Sequence, residues 1–315
     1  MLSRTASNLF WLGRHMERAE TASRLFEVGA RITLLPNTAE GYQNEWQSLL
    51  RATGVADSYA QRYGDVTEEN MEKFMIFDRD NPSSVASCMH DARESGRIVR
   101  TALTSRVWDA LNVSWQEMRA MKPGQEDAAD LADFVARHAA TVHGAIDGTQ
   151  LRNDGFHFMK LGYALERADS TARVLDVKYF VLLPRVEFVG SGLDSYQWQV
   201  ILRALSAHRA FHWAYGEDVS AARVAHFLIQ NSESPRSLMT SVLEALSHLD
   251  ALVRRYGEDV PHSARDRAQA LADRLGSTDI EDIFDEGLHE FLSDFIREIG
   301  EIANCVQADY FHGRG

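Results

Sequence analysis

Residues 161–174 read LGYALERADSTARV, and residues 12–25 read LGRHMERAETASRL, which is nearly the same sequence. Six of the fourteen aligned positions are identical, where ordinary residue frequencies would give about one. Two further blocks recur in the same order: WQSLLRA at 46–52 returns as WQVILRA at 198–204, and FMIFDRDNPSS at 74–84 returns as FLIQNSESPRS at 227–237. Three sequence blocks that recur in the same order predict an internal duplication of the chain.

The composition favours helices over strands. The chain has 315 residues, of which 45% are hydrophobic and only six are Pro, and long alternating Val/Ile/Thr stretches are absent. We therefore predict an all-α fold, an internally duplicated multi-helix bundle with halves related by a pseudo-twofold axis. The first helical repeat is assigned to 1–150 and the second to 151–315. Each repeat would bury apolar faces against the other, so they are expected to pack as one body.

Apolar residues at spacings of three and four predict about twelve helices. The two long ones cover 8–31 and 156–182, and Pro36 and Pro184 are expected to end them. A last long helix is predicted over 286–309. Its apolar stripe could pack inside the molecule or against a partner, and it consists of Leu288, Leu292, Phe295, Ile299 and Ile302.

Charge and cysteine usage limit the class of protein. The formal net charge is −13, and Lys/Arg-rich runs are absent, so neither nucleic acid nor an anionic membrane is an expected partner. Cys88 and Cys305 are isolated, which predicts two reduced, buried residues and a cytoplasmic location. The N-terminal sequence lacks the apolar core of a secretory signal, and no apolar run reaches membrane-spanning length.

Charged residues recur beside the apolar stripe of both long helices. On an ideal helix Gly13, Glu17, Glu20 and Arg24 fall within an arc of about 60°. Each second acid precedes an arginine by four residues, which is the favourable orientation for an ion pair. The candidate binding cluster consists of Glu17, Glu20, Arg24, Glu166, Asp169 and Arg173, with Gly13, Gly162, Arg18 and Arg167 in support.

Glycine inside a helix leaves room for close approach of a backbone or a ligand. Gly13 and Gly162 each lie one turn before a glutamate, so we expect the cluster to surround a partly enclosed polar cavity between the halves. Two interpretations stay open. The acids and arginines could form an ion-pair network that ties helices together, or they could bind a ligand.

Catalytic and metal motifs are absent from the sequence. Each candidate glutamate is followed three residues later by Glu20 or Asp169, where a di-metal bundle needs histidine. His208 and His212 have zinc-helix spacing without the glutamate of HExxH. There is also no GxSxG, P-loop or GxGxxG. We therefore expect no metal and no cofactor, and we assign no catalytic residue.

Several motifs together resemble the bacterial alpha-E domain family. They are MLSRTASNLFWLGRHMERAETASRL, FHFMKLGYALERADSTARVLDVKYFVLLP, WQVILRALSAHRA and SPRSL. The resemblance covers essentially the whole chain and implies an all-helical fold. The family's glutamates map onto Glu17, Glu20 and Glu166, with Asp169 as a shorter counterpart. The segment at 234–238 has serine where the family's FPRSL pattern has phenylalanine.

The resemblance also implies a functional context. Such proteins are encoded beside, or fused to, circularly permuted ATP-grasp ligase-like proteins, transglutaminase-like cysteine peptidases and proteasome-like hydrolases. It implies a role in ATP-dependent formation or processing of peptide or amide bonds. Because the motif begins at Met1 with no ATP-grasp portion attached, we expect an accessory protein for a separately encoded ligase. The alternative is an enzyme that uses the Glu/Asp/Arg cluster for acid/base chemistry on a peptide or amide substrate.

Overall fold

The chain folds into helices joined by short connections. The computed structural model describes residues 1, 3–33, 41–182 and 192–311, and no β-strand occurs within these ranges. The predicted helix stops at Pro36 and Pro184 lie outside the described residues. The first half contains α1 Ser3–Thr33, α2 Gly41–Ala52, α3 Ala56–Ala60, α4 Glu68–Glu72, α5 Val85–Ile98, α6 Ser105–Ala120 and α7 Ala128–Thr149.

The second half begins after a four-residue link, 150–153. It contains α8 Asp154–Leu182, α9 Gly192–Ala204, α10 His208–Tyr215, α11 Ala221–Ile229, α12 Leu238–Tyr256, α13 Ser263–Ser277, α14 Ile280–Glu286 and α15 Leu288–Val306. Single turns of π-helix follow α4 at Lys73–Phe77 and α15 at Gln307–Phe311. The all-α class predicted from composition is therefore confirmed.

Helices α1 and α8 lie at the centre of the molecule. Every residue from Ala19 to Phe26 is buried, so α1 is covered on all sides rather than along one stripe. Helices α5 and α7 pack on α1, whereas α12 and α15 pack on α8. Across the centre, α2 packs on α8 and α9 packs on α1. Most buried apolar side chains from both halves form one contiguous cluster, and a small second cluster contains Val28, Val200 and Ala204.

Backbone contact between α1 and α8 depends on two glycines. A Cβ added to Gly13 would lie 2.2 Å from the carbonyl oxygen of Met159, and one added to Gly162 would lie 2.1 Å from that of Phe10. Both distances are far below van der Waals contact, so no larger residue fits at either position without moving a helix. The close approach expected at these two glycines is therefore between the backbones of α1 and α8.

Matched serines begin two of the flanking helices. The Ser84 hydroxyl accepts a hydrogen bond from the Ser87 amide at the start of α5, and Ser237 accepts from the Thr240 amide at the start of α12. Each serine satisfies a backbone N–H that has no partner inside its helix. The proline-serine segments therefore lie at the starts of helices.

Several helix boundaries differ from the sequence prediction. Helix α1 begins at Ser3 rather than residue 8, because its first turns carry little apolar periodicity although Ala6 is buried. The long helix predicted over 286–309 begins only at Leu288, since Gly287 has a φ of 110° and separates it from α14. The described ranges hold fifteen α-helices, more than the twelve expected.

The apolar stripe of α15 packs inside the molecule. Leu292, Phe295, Ile299 and Ile302 are buried, and Leu288 is partly buried against the same core. The stripe is therefore used for packing within the molecule. In the described part of the chain, no helix combines the length and the hydropathy needed to cross a lipid bilayer.

Gly13→Ala should lower the free energy of unfolding by about 1–3 kcal/mol or more, because the new methyl group meets the Met159 carbonyl. Gly144→Ala is the matched control, since Gly144 is exposed within α7 and a Cβ there meets nothing within 4 Å. The control should stabilise by about 0.5–1 kcal/mol through helix propensity. Urea unfolding of both variants tests this, and equal stabilisation by both would contradict the backbone contact.

Candidate functional site

The close approach of α1 and α8 places two glutamates in the interface between them. Glu17 lies one turn after Gly13, and Glu166 lies one turn after Gly162. Glu17 is 0% exposed and Glu166 is 2% exposed. An ionised carboxylate is costly to bury unless cations pair with it, so the partners of these two side chains decide what the site can do.

Glu166 is held entirely by arginines of α1. Arg18 Nε donates to Oε1 at 2.6 Å, and Arg18 Nη2 donates to Oε2 at 3.0 Å. Arg14 Nε also donates to Oε2 at 2.6 Å. The carboxylate of one central helix is therefore clamped by two guanidiniums of the other, in the bidentate geometry that favours arginine over lysine.

Glu17 is paired with two arginines of the second half. Arg236 Nη1 donates to its Oε1 at 3.1 Å, and Arg167 Nη2 lies 3.5 Å from its Oε2. Arg236 comes from the short segment before α12, and its Nη2 also donates to Glu20 Oε1 at 2.7 Å. One guanidinium thus bridges two carboxylates of α1 and ties the start of α12 to that helix.

The two ion pairs expected within helices are also formed. Arg24 Nε donates to Glu20 Oε1 at 3.1 Å, and Arg173 Nε donates to Asp169 Oδ2 at 2.7 Å. Arg24 reaches further and donates through Nη1 to Ser206 Oγ at 2.9 Å, just after α9. The first pair is buried, whereas the second is partly open to solvent.

The six candidate residues fall into two groups. Glu166, Asp169 and Arg173 line a cavity of about 260 Å³ together with Arg18. Glu17, Glu20 and Arg24 do not line this cavity. Glu17 and Glu20 pair instead with Arg236, and Arg24 pairs with Glu20. The polar cavity expected between the central helices thus exists beside one half of the cluster.

The ion pairs hold the central carboxylates in their charged form. Burial raises the pKa of Glu17, but Arg167 and Arg236 outweigh burial and lower the pKa to about 2. Burial likewise opposes ionisation of Glu166, and Arg14 and Arg18 reverse it and lower the pKa below its ordinary value. Neither carboxyl group is protonated near neutral pH, so neither can act there as a general acid.

Arg14 and Arg236 are important members of the cluster that sequence reasoning missed. Arg14 takes part in no i,i+4 pair with Glu17 or Glu20, and Arg236 lies more than 200 residues away in the chain. A signal for Arg236 was present in the repeated blocks. The segment DNPSS has Ser83 where SESPRS has Arg236, so the two halves differ at that position.

The cysteines are not reactive groups of this site. Cys88 is a free buried thiol, and burial raises its pKa to about 12, which removes the thiolate needed for nucleophilic attack at neutral pH. Cys305 is also free but only partly buried. The expectation that it would be buried was wrong, because Cys305 lies off the buried stripe of α15.

The sequence matches the model of the Alpha-E family over residues 1–311, and the chain belongs to this family. The family is described as a predicted alpha-helical domain with a conserved ER motif. A Glu-Arg dipeptide occurs in this chain at 17–18 and at 166–167. Both dipeptides lie where α1 and α8 meet, so the described motif coincides with the buried ion pairs.

Similar proteins occur in mycobacteria. Uncharacterized proteins of Mycobacterium bovis and Mycobacterium tuberculosis are 23% and 22% identical to this chain over 333 aligned residues. The alignments cover 96% of this chain and 37% of each relative, so the chain spans just over a third of the length of these relatives. No solved structure matches the chain.

Glu17→Gln should lower the free energy of unfolding at neutral pH by about 3–5 kcal/mol, because it leaves buried guanidiniums without their counter-charge. The pKa of Glu17 falls from 4.5 to about 2 on folding. Its charge therefore stabilises fully above about pH 5, and this contribution is lost as the pH falls toward 2. Urea unfolding of wild type and variant between pH 7 and pH 3 measures both effects.

Glu69→Gln is the control for that experiment, since Glu69 forms only a surface pair with Lys73. The control should unfold like the wild type at neutral pH. If Glu17→Gln also unfolded like the wild type, with the same pH dependence, the buried ion pairs would not contribute to stability.

Proposed function

We propose that this protein is a helical accessory partner of a separately encoded ATP-grasp-type ligase, and that the pair forms or processes peptide or amide bonds at the expense of ATP. The charge state of the two central carboxylates is the observation that supports an accessory role without catalysis. Glu17 and Glu166 are buried, paired with arginines and charged at neutral pH. Groups held in this way are suited to fixing helices in place.

The sequence supports ATP binding by a separate chain rather than by this one. It has no P-loop motif, and its acidic net charge of −13 would repel free ATP except through a bound metal ion. Nucleotide binding and phosphoryl chemistry are therefore assigned to the ligase. A transglutaminase-like cysteine peptidase, which the family resemblance also implies, is a second partner candidate.

The length of the relatives is consistent with this role. In the mycobacterial proteins the matched region makes up 37% of the chain, so a domain of this kind accompanies a larger amount of additional polypeptide there. An accessory domain can work with its partner either in the same chain or as a separate subunit.

We further propose that residues 1–150 and 151–315 are duplicated units related by a pseudo-twofold rotation. Reciprocal contacts support this: α2 packs on α8 while α9 packs on α1, and α5 packs on α1 while α12 packs on α8. The two central glycines also contact equivalent positions of the opposite helix, Met159 and Phe10. Superposition of the repeated blocks by a rotation near 180° is the outcome expected.

The competing function is catalysis by the cluster itself. A general acid or base works best with a pKa near the operating pH, and the pKa shifts of Glu17 and Glu166 are in the opposite direction. Catalysis would therefore require Asp169 or Glu20, which are held by Arg173 and Arg24.

The purified protein should bind an ATP-grasp-type protein encoded near its gene and should change that ligase's turnover. Sedimentation or interferometry measures the complex, and ATP consumption with and without this chain measures the effect. The chain alone should hydrolyse no ATP. Absence of a complex together with unchanged turnover would contradict the accessory role, and turnover of a peptide or amide by the chain alone would favour the acid/base alternative.

A further inference from the structure

Both polar and apolar side chains line the cavity beside Glu166. Its volume is about 260 Å³, just below the roughly 300–1,000 Å³ of pockets that hold drug-sized ligands. The polar lining residues include Arg18, Ser83, Glu166, Asp169, Ser170 and Arg173. The apolar lining residues include Leu25, Val55, Phe74 and Met75. A cavity of this size suits a ligand on the scale of one amino-acid residue with both a polar and an apolar part.

Hydrogen-bond donors remain available among the polar residues that line the cavity. Both oxygens of Glu166 and both of Asp169 already accept from guanidinium groups. Arg18 and Arg173 use their Nε and Nη2 atoms for those bonds, and their Nη1 atoms make no hydrogen bond within the described part of the chain. The side chains of Arg18 and Arg173 are 27% and 32% exposed, so a ligand can reach them.

The charged side chains that line the cavity balance one another. Arg18 and Arg173 face the carboxylates of Glu166 and Asp169, and Arg14 pairs with Glu166 from outside the lining. A carboxylate group has two acceptor oxygens, which match the free Nη1 donors of the two lining arginines. A simple cation would find no free acceptor, because both carboxylates already accept hydrogen bonds from guanidinium groups.

The other half of the molecule fills the corresponding position with its own side chain. In the repeated blocks Ser83 is aligned with Arg236. Arg236 reaches across to Glu17 and Glu20, whereas Ser83 is short and lines the cavity. The space beside Glu166 is therefore left open at the position where the repeat places an arginine, and Arg14 supplies the charge instead.

We propose that this cavity binds a small monocarboxylate with an apolar body, of the size of one amino-acid residue. The carboxylate would accept hydrogen bonds from Arg18 and Arg173, and the apolar body would pack against Phe74 and its neighbours. The ligand is either a free amino acid or the C-terminal residue of a peptide. This site goes beyond the accessory function and does not depend on it, because binding is measured on the purified chain alone.

The test uses N-acetyl-L-leucine as the probe, with saturation-transfer NMR and calorimetry on the full chain. Binding of N-acetyl-L-leucine is expected, and N-acetyl-L-leucinamide, which lacks the carboxylate, should bind at least about tenfold more weakly. L-Leucine separates the two sources. Preference for L-leucine indicates a free amino acid, and preference for the acetylated form indicates a peptide terminus.

Two variants locate the site. Arg173→Gln should weaken binding of N-acetyl-L-leucine by at least about tenfold, and it should fold because its ion pair with Asp169 is partly exposed. Ser83→Arg places in the cavity the side chain that the other repeat has, and it should abolish binding while keeping the wild-type melting temperature. Arg97→Gln, which removes an exposed arginine of α5, is the control and should bind like the wild type.

Three results would overturn the proposal. The first is equal binding of the acid and the amide, which would mean that the carboxylate is not recognised. The second is undiminished binding by folded Ser83→Arg, which would place the ligand elsewhere. The third is no binding of N-acetyl-L-leucine or L-leucine at millimolar concentration. Because no ligase is present in these measurements, failure of this proposal leaves the accessory function to its own test.

Discussion

The contact of two helix backbones at Gly13 and Gly162 is the constraint on which the rest of the structure depends. Because neither position has room for a Cβ, α1 and α8 approach closely enough to exclude solvent from the next turn of each helix. That turn carries Glu17 and Glu166. Buried carboxylates must be paired with cations, and the arginines of the cluster are those partners.

The ion pairs between α1 and α8 give a physical role to the ER motif in the family's description. The glutamate of each Glu-Arg dipeptide lies beside the arginine of the other one. Arg18 binds Glu166 at 2.6 Å, and Arg167 lies 3.5 Å from Glu17. If either residue of one dipeptide is substituted, its ion-pair partner in the other dipeptide therefore loses that contact. The motif fastens two helices together through both of its residues.

Sequence reasoning identified the central helices and the residues at their contact, but not the full set of partners. Gly13 and the acids one and two turns later predicted a polar contact because their positions repeat in the chain. The pairs of Glu20 with Arg24 and of Asp169 with Arg173 followed from helix geometry alone. Arg236 could not be assigned, because its contact with Glu17 depends on how α12 packs. Helix α14 was missed because its seven residues are too few to show a clear apolar periodicity.

The surroundings of Glu17 and of Glu166 are arranged alike, but different groups lie in the space beside each glutamate. Around Glu17 a guanidinium from the segment before α12 occupies the space, whereas around Glu166 the matching segment ends in serine and a cavity remains. One half of the cluster is thus fully closed by protein, and the other retains room and unused donors. This difference separates a structural ion-pair network from the proposed binding site, and composition and helix periodicity do not distinguish the two.

The central claim is that ion pairs between α1 and α8 hold the two helices together. A double-mutant cycle with Arg18→Met and Glu166→Gln tests it most directly, because the cycle isolates the energy of one pair from the cost of each substitution. Urea unfolding at neutral pH should give a coupling energy of at least about 1.5 kcal/mol, with the double variant more stable than the sum of the single effects predicts. A coupling energy indistinguishable from zero would contradict the claim.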